Sequence, residues 1–270
     1  MAAPNEITVP QLLRLIGTPE APVLIDISID QDFEDDPFLI PGMVRHPHSD
    51  LPGLIAKLAG RDCVIICQKG IKLSQGMCAI LRTKGVKAEY VKGGNFAWRD
   101  QEGAPRVPAA AIPKPIDGRT LWVTRHRPKI DRIACPWLIR RFVDPMADFL
   151  FVSPSQVQGV ADRYGATPFD IEDTFWSHRG AKCTFDTMLD EFCLHTEALD
   201  RLAQVIRAAD TNTHDASPQA VGLLALSVGL SRQFKDDLAQ LDVGLTMYDA
   251  LYRWARDGQG EGHDSSGGKA

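Results

Sequence analysis

The chain has no long hydrophobic run, few cysteines, no export-type leader and no surplus of positive charge, and each shortage removes a class of protein. The longest near-continuous apolar stretch, Ala220 to Leu230, has 11 residues and holds Gly222, Ser227 and Gly229. A bilayer-spanning helix needs about 20, so no membrane association is expected. The opening residues Met1-Ala2-Ala3-Pro4-Asn5-Glu6 have neither a positive n-region nor an apolar h-region, so no secretory signal is expected. Six cysteines in 270 residues are too few for a disulfide scaffold. Cys63, Cys67, Cys78, Cys135, Cys183 and Cys193 form no C-x-x-C pair, which argues against a zinc ribbon. Reduced thiols and a cytoplasmic location are the expectation. A net charge of −5 argues against a general nucleic-acid binder, and no nucleic-acid partner is expected.

What is present is ordinary globular material, 44% apolar and 24% charged, enough to bury a core without staples. The length suits one large domain or two of roughly 100–150 residues. Charge is uneven: Lys114 to Arg141 carries eight basic residues against two acids, and Phe142 to Asp257 nine against eighteen. A basic patch on an acidic chain points to a small anion rather than a polyanion.

The proline-rich segment 104–116 reads as a semi-extended linker. Before it, strand runs at 23–27, 63–67 and 86–91 alternate with helical patterns. These are Thr8 to Ile16 with a capping box, Pro52 to Leu58, and Leu73 to Lys84 closed by Gly85. That alternation predicts an α/β domain over 1–103, a parallel sheet with flanking helices. After the linker, 117–257 reads as a mostly α (α+β) domain. Strands at 121–124 and 149–152 flank a helix over 133–142. Helices follow at 185–192, 197–209, 218–230 and 236–255. Residues 258–270 read as a disordered tail by composition. There is no internal repeat.

The most informative segment is Cys67-Gln68-Lys69-Gly70-Ile71-Lys72. A cysteine ending a buried strand, followed by a short glycine-containing loop and a helix, stands at the carboxyl edge of a parallel sheet. There α/β folds place their sites. Loop amides and the helix N-terminus then point at the sulfur. With Lys69 and Lys72 they favour the thiolate, the nucleophilic form, and would equally stabilise a persulfide or an oxyanion. Cys63 and Cys78 read as core.

Residues 5 to 99 resemble a single rhodanese domain. The resemblance rests on Leu24-Ile25-Asp26, Ile40-Pro41-Gly42, the Cys67–Lys72 loop, and Val91-Lys92-Gly93-Gly94 followed by Ala97-Trp98. It implies that Cys67 accepts a sulfane sulfur from a small donor such as thiosulfate and passes it to a thiol acceptor. Lys72 stands where the family often has an arginine closing the loop, and Gln68, Lys69, Gly70 and Ile71 form the substrate cradle. No cofactor is expected for that transfer. The chain departs from the family at Ser28, in place of the usual arginine, and at Phe38-Leu39 before Ile-Pro-Gly.

In the second half, Arg125, Arg127 and Arg132 surround Asp131 between a strand and a helix. Arginines in that arrangement are candidate ligands for a tetrahedral oxyanion. Asp131 suits an N-cap or first-turn position, and Trp137, Leu138, Ile139 and Phe142 suit a core face. Asp170, Glu172, His178, Cys183, His195, Asp210, His214 and Asp215 are metal-ligand types without a known short spacing. Asp131, His178, Cys183 and Asp210 are the candidate ligands for a divalent metal. Residues 119 to 257 resemble the C-terminal domain of the chromate-resistance protein ChrB. The resemblance is carried by Trp122 to Arg125, Arg127 to Phe142, Thr167 to Asp170, His178-Arg179-Gly180, Cys183 to Asp186, Ala209-Asp210-Thr211 and Pro218 to Arg232. It implies a link to chromate stress, with chromate as a candidate ligand, and carries no agreed reaction. The expectation is therefore a rhodanese-type sulfurtransferase with a persulfide on Cys67, coupled to a chromate-resistance domain in an oxyanion stress response. The alternative is a non-catalytic chromate- or metal-sensing accessory protein whose rhodanese domain is degenerate.

Overall fold

A computed structural model describes residues 5–262. The first half runs β1 (Glu6–Ile7), α1 (Val9–Leu13), β2 (Val23–Asp26), α2 (Asp30–Glu34), β3 (Phe38–Leu39), β4 (Met43–Arg45), α3 (Leu51–Leu58), β5 (Cys63–Ile66), α4 (Lys72–Thr83), β6 (Ala88–Val91) and α5 (Gly94–Arg99). Thr8 and Gln11 close the expected capping box on α1. The helix ends at Leu13 rather than Ile16, however, and the chain continues in turns. The sheet is parallel, in the order β1-β6-β5-β2-β4. Its central pairs Leu24↔Val64 and Ile25↔Ile65 face opposite ways, because strand side chains alternate. Ile25 and Ile65 pack with Leu54, Leu58, Met77 and Leu81 of α3 and α4. Leu24, Val64 and Ile66 belong to a second, larger core.

The proline-rich segment does not run free. Its β7 (Val107–Pro108) pairs antiparallel with β3, Val107 is buried, and Trp98 Nε1 donates to the Pro105 carbonyl at 2.9 Å.

The second half runs β8 (Leu121–Arg125), α6 (Asp131–Leu138), β9 (Asp148–Val152), α7 (Val157–Tyr164), β10 (Thr167–Pro168), α8 (Thr184–Glu191), α9 (Glu197–Asp210), α10 (Ala220–Gln233) and α11 (Asp237–Asp257). β10, β8 and β9 form a parallel sheet in that order, so the strands and helices between them are a βαβαβ unit. The helix expected over 133–142 begins at Asp131 and widens after Leu138 into a π turn at Ile139–Val143. α7 and β10 are elements the sequence pattern did not reveal. α7 buries only Val157 and Ala161, too thin a stripe to stand out.

The halves share one core. Leu12, Leu24 and Val64 join Trp137, Phe142 and Tyr252 in a single buried cluster. The Gly42 amide donates to the Phe142 carbonyl at 2.7 Å, and Arg256 Nη1 donates to the Arg14 carbonyl at 3.1 Å. Of the tail expected to be disordered, Gly258 still donates back to Trp254 at 3.0 Å. Residues 263–270, like 1–4 of the leader region, lie outside the described residues. Among the described residues no helix is long and apolar enough to cross a membrane.

Candidate functional site

The all-parallel sheet brings β5 out at Cys67 and starts α4 at Lys72, so the loop spans the sheet's carboxyl edge. Ile71 precedes α4 without a side-chain cap. Among the described residues, the amides of Gln68 to Lys72 have no backbone or side-chain acceptor. The loop is held from its carbonyl side instead. Asn95 and Phe96 amides donate to the Cys67 and Gln68 carbonyls, each at 3.1 Å. This clamp needs glycine on both sides. Gly70 has φ +66°, and a Cβ on Gly94 would lie 2.1 Å from the Cys67 carbonyl oxygen. Cys67 is 4% exposed and its thiol donates to Ser74 Oγ at 3.3 Å, which donates onward to the Ile71 carbonyl. Lys69 and Lys72 are exposed, and neither makes an ion pair with a described carboxylate. Free amides, the α4 N-terminus and two unpaired lysines therefore border the loop that Cys67 opens. Cys63 and Cys78 are buried, and burial first of all pushes each thiol up to about 12; they remain protonated packing groups. The arginine missing at Ser28 is replaced in space. Arg45 Nε from β4 pairs with buried Asp26 at 3.3 Å, while Ser28 Oγ donates to the other Asp26 oxygen at 2.6 Å.

The second half gathers a different set at the carboxyl ends of β8 and β10. Asp131 opens α6, Asp170 follows β10, His178 lies on the loop before α8, and Asp210 ends α9. His178 Nε2 lies 3.1 Å from Asp210 Oδ2, 3.5 Å from Asp170 Oδ1 and 3.7 Å from Asp131 Oδ2. Asp131 Oδ2 accepts the Thr184 amide at 2.5 Å and the Phe185 amide at 3.3 Å, so it caps α8 rather than its own helix. Its Oδ1 is buried with no partner. Thr184 Oγ donates to Asp170 Oδ1 at 2.9 Å. Asp170 Oδ2 faces Arg125 Nη2 at 3.1 Å and Arg132 Nε at 3.3 Å.

Crowded carboxylates disturb one another's protonation. Burial, then the charges of Asp210 and Asp170, raise Asp131 well above the usual carboxylate range. Burial and the Asp170 charge raise Asp210. Burial opposes ionisation of Asp170 too, but His178, Arg132, Thr184 and Arg125 together hold it low. Asp170, then Asp131 and Asp210, push His178 up to about 9 against burial.

The loop beneath this cluster is strained. Arg127 has φ +56°, Ile130 +40° and Asp170 +54°; for a β-branched residue a positive φ is a real outlier. Such backbone costs about 1–3 kcal/mol per residue and concentrates at functional sites. α10 and α11 hold it in place. Ser227 Oγ accepts the Ile130 amide at 3.0 Å, Tyr248 OH donates to the Ile130 carbonyl at 3.1 Å, and Gln240 Nε2 donates to the Pro128 carbonyl at 2.7 Å.

The structure thus brings Asp131, His178 and Asp210 together and adds Asp170, which the residue types had flagged without a role. Cys183 lies beside Asp131 but outside the set of mutually close ligand atoms. That thiol caps α8 by accepting the Asp186 amide, and burial raises its pKa. The three arginines do not form an open clamp. Arg125 and Arg132 are engaged by Asp170, and Arg127 donates to the Ser231 carbonyl. His214 and His195 lie elsewhere; His195 bridges Asp190 and Asp200.

Together these features define a two-part protein: a parallel-sheet α/β domain with a cysteine loop, docked on a domain built around a carboxylate–histidine cluster. In the second part, residues 122–255 match the family model described as ChrB, C-terminal domain. The chain is also 31% identical over 192 residues to Protein ChrB of Cupriavidus metallidurans, covering 66% of this chain and 57% of that protein. It therefore spans little more than half the length of that relative. Among solved structures, a Staphylococcus saprophyticus protein is 27% identical (34% of this chain, 89% of that chain, TM-score 0.30). A rhodanese-like domain protein from Staphylococcus aureus is 23% identical (37% and 95%, TM-score 0.32).

Proposed function

We propose that this chain is a sulfurtransferase that carries a persulfide on Cys67 and acts in chromate resistance through its ChrB-type half. The observation that carries this reading is the uncapped loop at Cys67, where the amides of Gln68 to Lys72 have no acceptor among the described residues. In the reaction, the Cys67 thiolate attacks the outer sulfur of thiosulfate. The S–S bond of the donor breaks and sulfite leaves with the electron pair. Cys67 is left as a persulfide anion, which the loop amides and Lys72 stabilise. An acceptor thiolate then attacks that outer sulfur, and the Cys67 thiolate departs. The exchange balances without an outside oxidant or reductant. The link to chromate rests on the family of the second half and on the likeness of chromate to sulfate as a tetrahedral dianion.

Steady-state assays with thiosulfate and a small thiol test the scheme. Parallel double-reciprocal lines are expected, abolished by Cys67→Ser, while Lys72→Ala raises KM for thiosulfate. Unchanged transfer in Cys67→Ser would refute it.

A further inference from the structure

We infer that Asp131, Asp170 and His178, with Asp210 against the imidazole, form a binding site for one divalent transition-metal ion of the Mn2+ or Fe2+ kind. The four side chains come from four separate segments of the ChrB-type domain, so only the fold assembles them. An imidazole Nε2 carries at most one hydrogen and cannot serve three acceptors. Yet three carboxylates stand 3.1, 3.5 and 3.7 Å from His178 Nε2. Ligands about 2.1 Å from a common ion stand roughly 3.0–3.4 Å apart at octahedral or tetrahedral angles, so the separations suit coordination better than hydrogen bonding. A cation takes lone pairs from Asp131, Asp170 and His178 at once, whose ligand atoms lie within 4.8 Å of one another.

A second, independent observation points the same way. Asp131 is wholly buried, and its Oδ1 has no partner among the described residues. A carboxylate oxygen in that position costs stability unless something meets it. A cation is the partner such an oxygen lacks. The oxygens that already have partners look like an outer shell that orients ligands. The Thr184 amide holds Asp131, and Thr184 Oγ, Arg125 and Arg132 hold Asp170.

The donor set selects the metal class. Two carboxylates and one imidazole, with a third carboxylate against the imidazole, suit Mn2+ or Fe2+. His178 is 41% and Asp210 19% exposed at the side chain, so the ion is reached from that side and keeps coordination positions open to water or a small oxyanion.

The test uses the full chain, stripped with EDTA and desalted, then titrated with MnCl2 while the EPR signal of free aqueous Mn2+ is followed. One Mn2+ per chain is expected. His178→Gln and Asp210→Asn, both on the exposed side, should weaken binding at least ~10-fold while melting in EDTA like the natural chain. Cys183→Ser should bind as the natural chain does. Absence of saturable one-per-chain binding would overturn the site. So would equal affinity in both ligand variants, or loss of binding in a folded Cys183→Ser.

Discussion

Asp131 opens α6, yet its carboxylate accepts the first amides of α8, and this displacement explains what could and could not be read at the level of single residues. The Cys67–Lys72 loop is local: strand, cysteine, glycine and helix follow one another, so its geometry is legible in six letters. The cluster in the second half is not local. Asp170 meets Arg125 across 45 positions and Thr184 across 14, and no spacing rule ties them. Cys183 misled because residue type suggested a ligand where position made it a cap. At the loop, the tightest constraint is Gly94, whose Cβ would strike the Cys67 carbonyl. Gly94→Ala is expected to destabilise the chain by about 1–3 kcal/mol and to slow sulfur loading, as read by urea unfolding and by transfer assays. Unchanged values in both would contradict the clamp.

Elements were legible in proportion to length and period. β5, α4, α9 and α11 stand near their expected positions because each shows a long apolar run or stripe. β1 and β10, at two residues each, hold no period to detect and are defined by their neighbours. Ser28 and Arg45 show the same limit: Asp26 is paired with Arg45, 19 positions away, and no local pattern announces it. Besides packing in the core, α10 and α11 brace the strained loop at Ile130. Tyr248→Phe removes one hydrogen bond to that loop and should cost about 1 kcal/mol. Ser227→Ala should cost about 1–3 kcal/mol, because the buried Ile130 amide loses its acceptor. Chemical denaturation of the full chain measures both, and no loss in either variant would show that the loop holds its own shape.

At the scale of the whole molecule, the proline-rich segment that looked like a spacer is docked through β7, and the two halves share one core. Composition marks a change of pattern there, but whether a linker is free depends on what Val107 finds to pack against. Phe142 sits at the junction, its ring against Trp137 and Tyr252 and its carbonyl on Gly42. Phe142→Ala is expected to cost about 3–5 kcal/mol, and calorimetry should show one cooperative transition for the natural chain; two separate transitions would refute a shared core. Sulfur loading of Cys67 is read from the intact-protein mass after incubation with thiosulfate. One added sulfur atom is expected on the natural chain and none on Cys67→Ala. An unchanged natural chain, or equal addition to the variant, would contradict it.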